Sequence, residues 1–184
     1  MNIRTTAPTR RRQWLRRSAL AVAAMLAAAV VWADRIELEI VNNAKLSLAQ
    51  AIEQVERETN GTVVEAELDD DDDMFFYELG VVTEKGLERV YMNPASGAVV
   101  GRRAPGMATG QVQKKGDAVR NAGIGLIEAI RIAEERTGGK AVEIDLDREL
   151  GGYVYEVKTI QPGREHEVQI NAQNGEVLAV EEDD

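Results

Sequence analysis

Few side chains in this chain could support nucleophilic or acid–base catalysis. The 184 residues include no cysteine and one histidine, His166. After residue 33 the chain has two serines, and we assign Ser47 to a helix start and Ser96 to a turn. Alternation with Val168 and Ile170 places His166 on the apolar side of a strand, as a partly buried structural residue. We therefore expect no catalytic residue and predict that the protein is not an enzyme.

An acidic run from Asp69 to Asp73 offers the oxygen ligands that calcium prefers. An EF-hand loop starting at Asp69 would need glycine at its sixth position and glutamate at its twelfth, where the chain has Met74 and Gly80. We therefore predict a solvated hairpin tip, without a metal or cofactor. The alternative is a weak cation site composed of Glu67, Asp69, Asp70, Asp71, Asp72 and Asp73.

Residues 1–33 have the pattern of an export signal. They contain six arginines, no acidic residue and an apolar run of 14 residues from Ala19 to Trp32. Small side chains at Val31 and Ala33 predict cleavage near Ala33. Because a membrane span needs about 20 apolar residues, an uncleaved anchor is the second interpretation. The pair Arg11-Arg12 resembles a twin-arginine motif, so the export route stays open between that and general secretion.

The charge of the remaining chain restricts its partners. The whole chain carries a formal charge of −10, and without residues 1–33 it has 16 basic residues against 32 acidic ones. Such a chain repels phosphate backbones and anionic lipid, so we expect no nucleic-acid partner. We also expect no membrane span after cleavage of the signal. The sequence predicts a soluble, strongly acidic protein that is located in the periplasm or secreted.

Most of the chain after residue 33 consists of two copies of one module. Residues 47–100 align without a gap to residues 125–178 at an offset of 78, with 16 identities in 54 positions. The identities include helix positions, strand positions and turn glycines. Two copies of one small fold are therefore expected.

Each copy begins with an amphipathic helix and continues with four strands. Leu48, Ala51, Ile52 and Val55 form one apolar stripe, and Ser47 with Gln50 three residues later predicts a capping box. We expect glycine to end each helix, at 60–61 and 138–139. After each helix, apolar residues recur at every second position, which is typical of half-buried antiparallel strands. We predict strands near 64–69, 75–83, 88–93 and 98–101 in the first copy and near 142–147, 153–160, 166–171 and 176–180 in the second.

These elements predict an α+β fold, in which a helix packs on a small antiparallel sheet in the order α-β-β-β-β, twice. The domain organisation is a signal at 1–33, a first domain at 34–101, a linker at 102–117 and a second domain at 118–184. Alternation at Ile36, Leu38 and Ile40 predicts a lead-in strand within residues 34–44.

The strand aromatics permit two roles, a contact surface or core packing. The candidates are Phe75, Phe76, Tyr77, Tyr153 and Tyr155. Alternation separates Phe76 from Phe75 and Tyr77, and repetition at offset 78 favours the core for Tyr77 and Tyr155.

The order of these motifs resembles the PepSY domain, the peptidase propeptide and YPEB-type domain, over both copies. The motifs are the capped helix start at 47–52, the Tyr-Glu-aliphatic strands at 77–79 and 155–157, and the Asn-x-x-x-Gly turns at 93–97 and 171–175. The resemblance implies an exported non-enzymatic protein that binds, and modulates or inhibits, an extracytoplasmic peptidase. The alternative is a cation- or ligand-sensing envelope module that uses the run Asp69–Asp73.

Overall fold

The computed structural model describes residues 38–71, 74–106 and 110–183. The predicted export signal, Asp72 and Asp73, and the side chains of Asp70 and Asp71 lie outside the described residues. Of the helices in the described ranges, none has the length and apolar character needed to cross a membrane.

The predicted α+β fold, with the order α-β-β-β-β occurring twice, is confirmed. The helices are α1 (38–43), α2 (Leu48–Thr59), α3 (Gly110–Asn121) and α4 (Leu126–Thr137). The strands are β1 (Thr62–Asp71), β2 (Met74–Thr83), β3 (Gly86–Met92), β4 (Val99–Gly106), β5 (Lys140–Glu149), β6 (Gly152–Gln161), β7 (Arg164–Asn171) and β8 (Val177–Asp183). All eight strands join one antiparallel sheet in the order β4-β3-β2-β1-β5-β6-β7-β8.

The two repeat helices begin and end differently. Ser47 and Gln50 form the predicted capping box at the start of α2, whereas Gly125 at the start of α4 provides no side-chain bond. The expected glycine ends α4, where Gly138 has φ 76°. At the end of α2 the left-handed residue is Asn60, with φ 51°, and not Gly61 as predicted, because asparagine also tolerates this conformation.

Helices α2 and α4 cover one side of the sheet, which we call the helix face. The other side, which we call the open face, is covered in part by α3, where Gly116 meets Val82 and Lys115 reaches Glu65. The core under the helices is continuous between the repeats, and its residues include Ile52, Val55, Ala66, Leu79, Ile130, Ile144, Val157 and Ile170. Tyr77 and Tyr155 are 1% and 0% exposed, which confirms that they are core residues. Their hydroxyls donate to the carbonyl oxygens of Leu46 and Ile124, at 3.1 and 3.0 Å.

Two segments differ from the sequence-based expectation. The prediction of a lead-in strand is wrong for residues 38–43, which are helical. Three alternating apolar residues cannot distinguish a strand from a short helix that has Leu38 and Val41 on one side. The segment 102–117, predicted as a linker, contains the end of β4 and the first part of α3. Only Gly116, Ala118 and Val119 of α3 are buried, which explains its weak apolar pattern.

Candidate functional site

Strand alternation lines the open face of the sheet with carboxylates. Since residues such as Ala66, Leu79 and Ile144 point to the helix face, their strand neighbours point to the open face. The acidic members of that set include Glu65, Glu67, Asp69, Glu78, Glu143, Asp145, Asp147 and Glu156. Burial and nearby carboxylates, Glu167 first, raise the pKa of Glu156 above its ordinary value. The open face is therefore a region of concentrated negative charge.

Like charges meet where β1 pairs with β5 at the centre of this face. Glu65 lies opposite Asp145, and Glu67 lies opposite Glu143. Lys115, on α3, forms ion pairs with Glu65 at 3.5 Å and with Asp145. The helix between the repeats thus supplies a cation that offsets one of the two repulsive pairs.

Three carboxylates form what we call the carboxylate cluster: Glu67, Asp69 and Glu78. One oxygen from each lies within 4.8 Å of the others. Glu67 and Glu78 are direct register partners on β1 and β2. Burial, followed by the charge of Glu143 and of the two other cluster members, raises the pKa of Glu67 above its ordinary value. Such a cluster favours a proton, a metal cation or the ammonium or guanidinium group of a partner.

The structure regroups the predicted cation-site residues. Glu67 and Asp69 lie together, but their third neighbour is Glu78 of β2 rather than a member of the run. Sequence reasoning missed Glu78 because its place depends on the register between two strands. The side chains of Asp70–Asp73 lie outside the described part of the chain, so their share in a cation site stays a prediction.

Beside the cluster is a cavity of about 640 Å³, which we call the aromatic groove. Its apolar residues are Met74, Phe75, Phe76, Tyr91 and Val100. The rings of Phe76 and Tyr91 pack edge to face, with centroids 5.4 Å apart. Met74 and Val100 are 67% and 61% exposed. Asp69 and Glu78 line one part of the groove and Arg103 on β4 lines another.

The pair of rings in the aromatic groove, Phe76 and Tyr91, has no equivalent in the second repeat. At the offset of 78, Phe76 and Tyr91 correspond to Val154 and Gln169, neither of which carries a ring. The predicted aromatic set is therefore divided, with Tyr77 and Tyr155 in the core and Phe75 and Phe76 in the groove. Tyr91 was not among the sequence candidates, because only the pairing of β2 with β3 brings it beside Phe76.

Among the described residues, the histidine and the two serines that the sequence analysis considered for catalysis lie apart from one another and have structural roles. His166 is 8% exposed on the helix face, opposite Thr159, and its Nε2 lies 3.7 Å from Glu182. Ser47 caps α2, and the Ser96 hydroxyl donates to the Asn93 side chain within its turn, as predicted. The sequence predicted His166 as a partly buried structural residue of a strand, and the structure places it on β7, where it is buried.

Comparison with known proteins gives one family and two solved structures. The family described as "Peptidase propeptide and YPEB domain", PepSY, matches residues 45–103 and 124–181, more than half of the chain. No curated protein sequence matches the chain significantly.

The crystal structure of a "putative lipoprotein" from Clostridium difficile 630 is similar over 76% of this chain and 95% of that one, with a TM-score of 0.50 and 19% identity. The Bacillus megaterium YpeB C-terminal domain aligns over 76% of this chain and 66% of that one, with a TM-score of 0.27 and 17% identity. At these identities the first likeness concerns the fold alone.

Proposed function

The chain belongs to the PepSY family, with two such domains in tandem, and from this premise we propose that it is an exported, non-enzymatic binding protein that restrains an extracytoplasmic peptidase. The family includes the propeptides of peptidases, which motivates the class of partner. The observation that carries the proposal is the open face, where carboxylates from both repeats are concentrated beside an exposed groove.

This face offers a physical route to binding. Concentrated negative charge steers a partner with a basic surface and raises its rate of association. Among the described residues, β4 and β8 are the edge strands of the sheet, and the backbone of a partner can hydrogen-bond along an edge. The binding protein would act by covering the peptidase and would need no catalytic group of its own.

The proposal is tested by immobilising the chain and capturing partners from envelope and secreted fractions, with mass spectrometry to identify them. We expect enrichment of a peptidase whose activity falls when the purified chain is added. A variant with Glu67→Gln, Asp147→Asn and Glu156→Gln should bind it more weakly. A matched variant with three acids of the helix surfaces neutralised, Glu53→Gln, Glu58→Gln and Glu135→Gln, should bind it as before. Equal binding by both variants would show that the open face is not the contact.

Cation sensing, the alternative left open by the sequence, gives a different result in solution. Calcium titration by calorimetry would show heat that disappears in the variant Asp69→Asn. Partner capture that is unchanged by chelators, together with no calcium heat at millimolar concentration, would exclude this alternative. Calcium-dependent capture would instead favour it over direct binding by the protein alone.

Export is part of the proposed function and has its own test. Mass spectrometry of the protein recovered from the periplasm or the medium should give a chain beginning near Asp34. A chain that keeps Met1 would contradict cleavage and favour an envelope anchor.

A further inference from the structure

We propose that the aromatic groove binds a short extended peptide segment of the partner, with an apolar side chain on Phe76 and Tyr91 and a single lysine or arginine at the carboxylate cluster. This inference rests on the proposed function, because it names the contact through which the partner would be bound. It commits to a cationic, otherwise apolar segment as the occupant.

The floor of the groove supplies the apolar contact. Met74 and Val100 are more than half exposed, and the Phe76 and Tyr91 rings pack edge to face. A small residue, Gly101, lies beside Tyr91, where an added Cβ would be 3.4 Å from the ring. Rigid aromatic rings in a concave site are the residues that most often dominate the binding energy of an interface.

The size of the groove fits a short extended segment. It is lined by Asp69 on β1, Phe76 on β2, Tyr91 on β3 and Val100 on β4, so it crosses four neighbouring strands. Strands lie about 4.8 Å apart, which makes the crossing roughly 14 Å long. At about 3.3 Å per residue, that length accommodates four extended residues.

Charge complementarity sets the position of the cation. Glu67, Asp69 and Glu78 bring three carboxylates together at the β1 end of the groove. Arg89 pairs with Glu78 at 2.8 Å and with Glu65 at 2.6 Å. Glu67 lies opposite a further carboxylate, Glu143, across the pairing of β1 with β5. Burial, followed by the charge of these neighbouring carboxylates, raises the pKa of Glu67 above its ordinary value.

The opposite end of the groove disfavours a second cation. Arg103 lies there, exposed, and within the described residues it forms no ion pair. A lysine or arginine of the partner placed beside it would be repelled. The occupant therefore has its one positive charge at the β1 end.

The test uses fluorescence anisotropy of a fluorescein-labelled peptide with the core Lys-Leu-Leu-Gly and the full chain. A peptide with the core Glu-Leu-Leu-Gly is the charge control. We expect saturable binding of the lysine peptide that weakens with added salt and at least tenfold weaker binding of the glutamate peptide. Equal affinity for the two peptides would overturn the assignment of the cation to the cluster.

Two variants locate the peptide. Phe76→Val with Tyr91→Gln installs the residues that the second repeat carries at the same positions. This variant should lose at least tenfold in affinity while its circular dichroism spectrum stays unchanged. The matched control, Gln169→Ala with Leu178→Ala in the second repeat, should bind as the parent chain does. A loss below twofold in the groove variant would overturn the proposal.

Failure of this inference is distinguishable from failure of the proposed function. A chain that restrains a captured peptidase equally well with and without the groove substitutions would keep its function and lose this contact. A chain that binds the lysine peptide in the groove but restrains no peptidase would keep the site and lose the function.

Discussion

Glu67 faces Glu143 across the join between the repeats, and its pKa is raised by burial and by this neighbour. Charges of the same sign directly opposite each other on a sheet destabilise it by up to about 1 kcal/mol. The protein therefore tolerates an unfavourable contact on the face that we propose binds a partner.

Replacing Glu67 with glutamine should stabilise the fold at pH 7, by up to about 1 kcal/mol. Because the pKa of Glu67 is raised in the folded chain, its carboxylate takes up a proton there at a higher pH than in the unfolded chain. The destabilisation by the charged form is therefore lost as the pH falls through the raised pKa toward the ordinary value. The gain from Glu67→Gln should therefore be largest at pH 7 and vanish near pH 4. Urea unfolding at several pH values measures it, with Glu84→Gln in the turn after β2 as the control. A gain that persists unchanged at pH 4 would contradict the electrostatic origin.

Tyr77 and Tyr155 should make the fold sensitive to alkali. Burial raises the pKa of each from 10.0 to about 12. The unfolded chain ionises first, so stability should be lost as the pH rises from about 10 toward 12. Tyr77→Phe should lower stability at pH 7 by about 1 kcal/mol, because the hydrogen bond to Leu46 is lost, but it should flatten the alkaline decline. Thermal unfolding from pH 7 to 11 checks this, with the exposed Tyr153→Phe as control; an equally steep decline in Tyr77→Phe would contradict it.

At the residue scale the sequence predicted what depends on local pattern. The core tyrosines and the buried His166 follow from alternation within one strand. Glu78 and Tyr91 were not predicted as site residues, because their neighbours lie on other strands and the register is set by pairing across the sheet.

Among the elements, α2 and α4 form a natural comparison, since one has a side-chain cap and the other has none. Gly125 has φ −89° and ψ 171°, which serine adopts without strain, and a Cβ there would meet nothing within 4 Å. Gly125→Ser should therefore stabilise the protein by about 0.5 to 1 kcal/mol. Ser47→Ala should destabilise it by about 1 kcal/mol.

Denaturant unfolding measures both capping effects. Gly151→Ser is the matched control, because it also places serine where a Cβ has free space, but in a turn outside the helices. Equal gains from Gly125→Ser and Gly151→Ser would show that the effect comes from the unfolded chain and not from the cap.

Helix α3, like the short helix α1, was not predicted from the sequence. Its apolar pattern is weak because it buries few side chains, yet Gly116 fits against Val82 and Lys115 reaches the join. Hydrophobic periodicity cannot detect a helix that buries only three small or medium-sized residues, Gly116, Ala118 and Val119. Strong stripes, as in α2 and α4, were predicted to within a residue or two.

Lys115→Met should lower stability by about 1 to 2 kcal/mol, because Asp145 would lose its ion pair with Lys115 and Glu65 would keep only its ion pair with Arg89. Lys114→Met, at the exposed neighbouring position, is the matched control and should be nearly neutral. Adding Asp145→Asn to Lys115→Met should restore part of the loss. No recovery in the double variant, measured by urea unfolding, would show that the lysine acts by packing alone.

At the scale of the molecule, one sheet and one core connect the repeats. We predict that the two repeats unfold together, although each has a complete set of elements. Single tryptophans at equivalent positions, Phe75→Trp and Tyr153→Trp, in a chain with Trp14→Phe and Trp32→Phe, report each repeat separately. Their urea midpoints should coincide with each other and with circular dichroism. Two separate midpoints would mean that the join contributes little to stability.

The pairing of β1 with β5 has a further consequence in terms of symmetry. Ala66 pairs with Ile144, its own counterpart 78 residues later. Glu65 pairs with Asp145, the counterpart of Glu67, and Glu67 pairs with Glu143, the counterpart of Glu65. This is the arrangement of an isologous twofold interface. The chain is thus built like a homodimer whose subunits a duplication has joined, and that linkage allows one half to acquire a pair of aromatic rings that its twin lacks.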